Sequence, residues 1–209
     1  MNMTSASEPV FKSIFGCDWQ KLPRVFHRHY ACRAGTIDTA TCEGVMEIRT
    51  SWLGRILAPL FYLSGTLVPY AGKDIRATVR FESALKNGKH GMIFDRVFYF
   101  AGKRPYRFRS VMLPAGGNEM IEHTRLGLGW RAAFVWTGDK IDMRHRGYTL
   151  NIFGTSLPLP VEWLMGRGSA SETAIDDNRF AMTMDITHPL WGRVFGYSGI
   201  FTMTEDAAA

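Results

Sequence analysis

The sequence predicts an α+β fold that is mainly β: a curved or closed antiparallel sheet, a lipocalin-like barrel if it closes, with N-terminal helices covering one face or end. Three observations predict it. After Lys73, eight extended runs recur at roughly ten-residue spacing, separated by the turn-forming stretches "KNGKHG", "AGKRP", "PAGG" and "TGDK". Before that point, apolar residues near the N-terminus and after Ser51 follow helical rather than alternating spacing. The composition, 46% hydrophobic and 13% aromatic over 209 residues, supplies one core, and no shift in it divides the chain. The expected organisation is therefore a single domain, with residues 1–72 as a helical segment packed on a meander formed by residues 73–209.

Taken in order, the small polar start leads into a short helix carrying Val10, Phe11, Ile14 and Phe15, which Gly16 should stop. Asp18 is a candidate N-cap for a second helix, "WQKLPRVFHRHY", which tolerates Pro23 only in its first turn. The stretch "GTIDTATCEGVMEIRT", residues 35–50, is rich in Thr, Val and Ile with Gly44 as a break, and reads as a pair of extended segments. "SWLGRILAPLFYLSGTLVPY", residues 51–70, is the most apolar part of the chain. A membrane-spanning helix needs about 20 largely uninterrupted apolar residues. Here Arg55, Pro59, Ser64, Gly65, Thr66 and Pro69 intervene, so an amphipathic helix is expected. If it lies over a cavity, Trp52, Phe61 and Tyr62 are its lining; if it is plain core, they simply pack.

Strands are expected at 74–83, 91–100, 105–113, 117–124, 129–136, 140–150, 179–187 and 194–203. Such a meander must close or be covered, because an open edge exposes unpaired backbone groups. "SLPLPVEWLMGRGSAS", residues 156–171, interrupts the series with prolines and glycines and reads as a long loop with one helical turn at "VEWLMG". "THPLWGRVFGYSGIF" reads as the strand that completes the sheet.

The formal charge is +6, and the cations divide into 18 Arg and 7 Lys. Arg offers a planar fork for carboxylates or phosphates and stacks on aromatic rings. No block of like charges or basic helix stripe accompanies the excess, so no nucleic-acid partner is expected. Cys17, Cys32 and Cys42 are odd in number and lack metal-site spacing; reduced thiols fit them best. The N-terminus lacks the basic and apolar regions of a secretory signal, so a cytoplasmic location is expected, with membrane association kept open by the apolar segment. Dinucleotide, Walker, nucleophile-elbow and zinc-protease motifs are missing from the chain, and neither a cofactor nor a metal is expected.

The most informative stretch is "DRVFYFAGKRPYRFRSVML", residues 95–113, where arginines sit among aromatic residues in two alternating runs. With "AGKRP" as the loop, Phe100 faces Tyr106, Phe98 faces Phe108, Arg96 faces Ser110 and Phe94 faces Met112. Arg107 and Arg109 then stand on the other face, where solvent can satisfy them. Two readings of Arg96 stand side by side. Its stem packs at a sheet margin with the head snorkelling outward, or it projects into a cavity lined by Phe94, Phe98, Phe108 and Met112. In the second case it requires an acid or a ligand anion, since an unpaired buried cation costs several kcal/mol. Glu119 and Glu122 are the nearest acids in sequence, and their spacing lets only one point inward.

Other constellations are weaker. In "HRHY" the two histidines, His27 and His29, diverge on a helix, which favours a structural role over metal binding. Glu122 and His123 are candidate acid–base residues, but neighbours on a strand face opposite ways and do not form a dyad.

The succession "FDRVFYFAGKRPYRFRSVM", "IEHTRLGLGWRAAFVWTGDKIDMRHRGYTL", "LPLPVEWLMGRGSASE" and "HPLWGRVFGYSGIF" resembles a bacterial family described as domain of unknown function number 4166. The likeness runs over most of the chain and includes "KLPRVFHRHY". Arg96 and Arg109 match the family's hairpin arginines, Glu122 its acid, Leu157 to Pro160 its "LPLP" loop, and Gly192, Tyr197 and Gly199 its closing motif. The family's tryptophan-rich start to the meander is missing here. The resemblance implies no reaction. It does imply a partner, because the family's domain often follows an NAD(P)-binding dehydrogenase-like domain.

Three functions are expected from these readings. The first is a binding module for a hydrophobic small molecule bearing an anionic or carbonyl group, with Arg96, Phe94, Phe98, Phe108, Arg109, Trp52 and Tyr197 as the ligand-binding set. The second is a cofactor-independent enzyme, an isomerase or cyclase, using Glu122 or His123 beside an arginine. The third is a peripheral protein that inserts Trp52 and its neighbours at a membrane surface.

Overall fold

The computed structural model describes residues 8–64 and 67–206, apart from the side chains of residues 60, 61, 63 and 64. Eleven strands form one antiparallel sheet: β1 (Thr39–Thr50), β2 (Gly72–Lys86), β3 (Lys89–Tyr99), β4 (Tyr106–Gly116), β5 (Glu119–His123), β6 (Leu128–Trp136), β7 (Lys140–Ile152), β8 (Thr155–Leu159), β9 (Arg167–Ala174), β10 (Arg179–His188) and β11 (Gly192–Glu205). Their spatial order is β6-β5-β4-β3-β2-β1-β11-β10-β9-β7-β8, and a further pairing of β6 with β7 closes ten of them into a barrel. β7 serves two neighbours on one side, pairing with β9 through Lys140–Arg144 and with β8 through Tyr148–Ile152. β8 thereby becomes a flap on the barrel wall, and as an edge strand it accommodates Pro158.

All eight expected strands are present, with ends shifted by a few residues. Two expectations are corrected. The sheet begins at Thr39, not at residue 73: "TATCEGVMEIRT" is one long strand inserted between β2 and β11, and Gly44 passes through it because a Cβ there would meet the Ile200 carbonyl at 2.4 Å. The stretch from 156 to 171 is not a loop but contains β8, the helical turn α4 (Glu162–Met165) and the start of β9.

The N-terminal segment plugs one end of the barrel. Helix α1 (Lys12–Phe15) runs into a 3₁₀ turn at Gly16–Lys21, and α2 (Arg24–His29) follows Pro23. Asp18 lies within the 3₁₀ turn and does not cap the second helix, which starts after the extended Leu22. Phe11 packs on Tyr30 and Phe134 at 4.3 and 5.4 Å between ring centroids, and Phe26 packs on Trp136 and Phe180. Helix α3 (Trp52–Ser64) crosses the opposite part of the barrel against β1 and β11, with Gly54 close to the Val194 carbonyl. Among the described residues no helix is long and apolar enough to cross a membrane.

The arginine hairpin differs from the expected pairing by two residues. Phe98 faces Tyr106, Arg96 faces Phe108, Phe94 faces Ser110 and Met92 faces Met112. A shift of two preserves the face of every side chain, so the division into inward and outward residues stands although each partner changes. The turn needs Phe100–Pro105 because Phe100 is itself buried, packing on Tyr70.

Candidate functional site

Because inward residues alternate along each strand, β3, β4 and β5 aim Phe94, Arg96, Ser110, Met112 and Glu122 into the barrel. Arg96 is 9% exposed. Its Nη1 donates to Ser110 Oγ at 2.8 Å, its Nη2 lies 3.0 Å from Glu122 Oε1, and Ser110 Oγ donates to the same Glu122 oxygen at 2.5 Å. The guanidinium is also held between rings, 4.9 Å from the centroid of Phe94 and 5.2 Å from that of Phe108. Arg96 therefore takes the inward of its two readings. Its acid is Glu122, while Glu119 points outward to Arg131 and Arg146.

On the other side of the same space stand groups that sequence reasoning did not bring together. Glu172, on β9, is 2% exposed and accepts a hydrogen bond from the Tyr30 hydroxyl at 2.7 Å. Burial pushes its carboxyl up to about 7, against the opposing pull of Tyr30 and Arg96. The His29 ring, 3% exposed, has Nε2 3.7 Å from Glu172 Oε1, and neither ring nitrogen has a hydrogen-bond partner. Desolvation, reinforced by Arg96, lowers His29 to about 3, so the imidazole is neutral. Tyr197 reaches in from β11, its hydroxyl raised to about 12 chiefly by burial. The signal for Glu172 lies in "RGSASETA": Gly168, Ala170 and Ala174 share its face, an acid among small residues on an alternating strand.

These groups line a deep cavity of about 50 Å³, whose apolar wall includes Phe81, Phe94, Met112, Met143, Phe180 and Phe201. A second cavity of about 70 Å³ lies outside it, bounded by Leu67, Phe108, Leu159, Val161, Met165 and Ile186. Glu122, Trp130 and Met184 belong to both walls, so the Arg96–Ser110–Glu122 network stands at their junction. Trp130 is fixed from outside: its indole N–H donates to His145 Nδ1 at 3.0 Å, which leaves the His145 proton on Nε2, 3.0 Å from Glu162 Oε1. Arg167 donates to the other Glu162 oxygen at 3.0 Å, and the two partners hold that carboxyl below its ordinary range.

The expected ligand-binding set divides. Arg96, Phe94 and Tyr197 line the deep cavity and Phe108 the outer one, while Phe98 is buried core outside both linings. Arg109 is on the outer face, 3.2 Å from Glu82, and Arg107 pairs there with Asp95 through both carboxylate oxygens. Trp52 does not line the cavity: it is 60% exposed, edge-to-face with Trp191, because α3 turns Leu53 and Leu57 toward the core. Tyr62 is also exposed, and the side chain of Phe61 lies outside the described residues. Glu122 and His123 face opposite ways: His123 is on the outer surface layer near Ser156, buried enough for desolvation to lower its pKa. Among the described residues no group of three or more His, Cys, Asp or Glu could hold a metal ion.

Among solved structures, Rv2717c from M. tuberculosis aligns at 10% identity with a TM-score of 0.40, covering 79% of this chain and 91% of that one. A thioesterase II candidate from Thermobifida fusca YX aligns at 7% identity with a TM-score of 0.25, covering 82% and 80%. Among curated proteins no relative matches the chain. The model of one family, described as "Domain of unknown function (DUF4166)", matches residues 22–201, from just before α2 to Phe201 in β11. With the hairpin arginines, the inward acid and Gly192, Tyr197 and Gly199 of the closing strand inside that span, the chain belongs to the DUF4166 family.

Proposed function

We propose that the barrel binds a hydrophobic small molecule whose single polar group, a carbonyl, is met at the Arg96–Ser110–Glu122 network. The carrying observation is the position of that network, a satisfied polar cluster at the junction of two apolar cavities inside a closed barrel. Net charge decides between a carbonyl and an anion. Arg96 is already neutralised by Glu122, His29 is neutral, and Glu172 is poised to carry its proton, so a ligand carboxylate would enter a site with no free positive charge. A neutral carbonyl needs only a donor, which Arg96, Tyr197 or protonated Glu172 supplies.

The test is direct calorimetric titration with benzoic acid and with its methyl ester, probes on the scale of the two joined cavities. The ester is expected to bind at least as tightly as the acid. Ala170→Phe, which fills the deep cavity from β9, is expected to weaken both at least tenfold while the thermal unfolding curve stays cooperative. Absence of a saturable signal from either probe, or equal affinity in Ala170→Phe, overturns the proposal.

A further inference from the structure

We infer that the rim beside the outer cavity is a docking surface for an anionic lipid bilayer. Three separate segments bring large apolar side chains to the surface there. Helix α3 exposes Trp52 at 60% and Ile56 at 65%, α4 exposes Trp163 at 73%, and the turn from β10 to β11 exposes Leu190 at 80% and Trp191 at 54%. Direct contacts join the three segments. Trp52 and Trp191 pack edge-to-face at 5.9 Å, Trp191 stacks on His188 at 6.2 Å, and His188 Nε2 is 2.7 Å from the Trp163 carbonyl oxygen. A soluble surface seldom gathers so much aromatic area without a partner, and tryptophan in particular favours the boundary between headgroup and hydrocarbon.

Charge selects the partner. Across 52–64, 161–168 and 185–193 the ionised side chains are Arg55, Arg167 and Arg193 against Glu162 and Asp185, a balance of one positive charge. Asp185 faces Arg193 at 2.7 Å from the adjoining strand and Glu162 faces Arg167, so among the described residues Arg55 is the cation of these segments without an ion pair. Exposed aromatic and aliphatic tips with Arg55 among them fit a negatively charged bilayer, in which the rings insert and the free guanidinium meets phosphate. The same segments also reach the cavity: Met165 follows Trp163 in α4, Ile186 precedes the exposed turn, and Leu67 follows α3, all three on the outer cavity wall. A bilayer seated on the rim would therefore adjoin the route into the barrel, although the docking does not depend on what the barrel binds.

Flotation with vesicles of phosphatidylcholine alone, and with about one-third phosphatidylglycerol, tests this in the whole chain. The protein is expected to float with the anionic vesicles, less as salt rises from about 0.05 M to about 0.5 M. Trp52→Ser with Trp191→Ser should reduce the bound fraction at least tenfold, as should Leu190→Asp, which alters a side chain too exposed to affect folding. No flotation with the anionic vesicles at low salt, or flotation unaffected by these substitutions, overturns the inference. Ala170→Phe provides the separation: it should weaken probe binding at least tenfold while vesicle binding persists.

Discussion

Among the described residues Glu172 is a carboxyl with one hydrogen-bond donor, Tyr30, enclosed by the aromatic wall of the deep cavity. Its folded value of about 7 lies above the ordinary 4.5, so the folded state holds the proton more tightly than the unfolded chain. The sign follows. Its contribution to stability is complete below about pH 4.5, declines as pH rises, and is lost above about pH 7, a change of about 3 kcal/mol at most. His29 works the other way: held to about 3 from 6.5, it stays neutral when the unfolded chain would take a proton, so stability falls as pH drops below 6.5. The two slopes oppose one another between 4.5 and 6.5, and the parent protein alone cannot separate them. Glu172→Gln can, since the amide oxygen still accepts from Tyr30 and does not ionise. Denaturant unfolding at a series of pH values should show the variant gaining on the parent from pH 4.5 to 7 and more stable at pH 8; parallel curves would sink the assignment. At this scale the sequence was half legible. Arg96 could be singled out because a lone cation shared a face with Phe94 and Phe98, and its acid was among the two candidates named by spacing. Glu172 and Tyr30 could not be paired, because 142 positions separate them and only barrel closure brings them together.

Between elements, the closeness of neighbouring strands rests on side chains that are absent. Gly91 in β3 lies against β4 so tightly that an added Cβ would stand 2.3 Å from the Met112 carbonyl oxygen and 2.6 Å from Leu113 Cδ2. The first of these is backbone, which cannot swing aside. Gly91→Ala should therefore force β3 from β4 just where Met92 and Met112 pair and where the strand continues toward Arg96. A loss of about 1–3 kcal/mol is expected in chemical denaturation, together with altered amide shifts at Ser110; an unchanged midpoint would show the strands free to adjust. Strand existence was readable where alternation was strong, as in β3 and β4. It failed in β8 and β9 for a physical reason: "LPLP" and "GRGSASETA" have weak intrinsic strand preference, and they pair because β7 offers them an edge. The two-residue error in the hairpin register came from a turn lengthened to bury Phe100, a tertiary demand invisible to spacing within the hairpin.

For the whole molecule, closure has a consequence that a single strand or pocket does not reveal. Ten strands joined edge to edge leave no free lateral edge at which the ring can fray, and α2 with the residue that follows it fills one end with Phe26, His29 and Tyr30. Access to the deep interior from that end then requires a large cooperative opening. The cysteines sample this at three depths. Cys42 lines the deep cavity from β1 and is 1% exposed, Cys32 is fully buried after α2, and Cys17 is exposed in the 3₁₀ turn. Burial raises Cys32 to about 12 and pushes Cys42 well above the ordinary thiol range, so reactive thiolate is scarce as well as enclosed. An aromatic disulfide reagent should modify one thiol rapidly in the native protein and three in denaturant. Cys32 should react only as the barrel unfolds, at a rate that rises steeply with urea in proportion to the surface exposed on global unfolding, while Cys42, on the wall of the cavity a ligand must reach, should react ahead of it and with little dependence on urea. If Cys42 instead reacts at the rate of Cys32 and with the same urea dependence, molecules of reagent size do not pass through the outer cavity past Trp130 and Met184, and the path into the barrel is made by unfolding rather than by a standing opening.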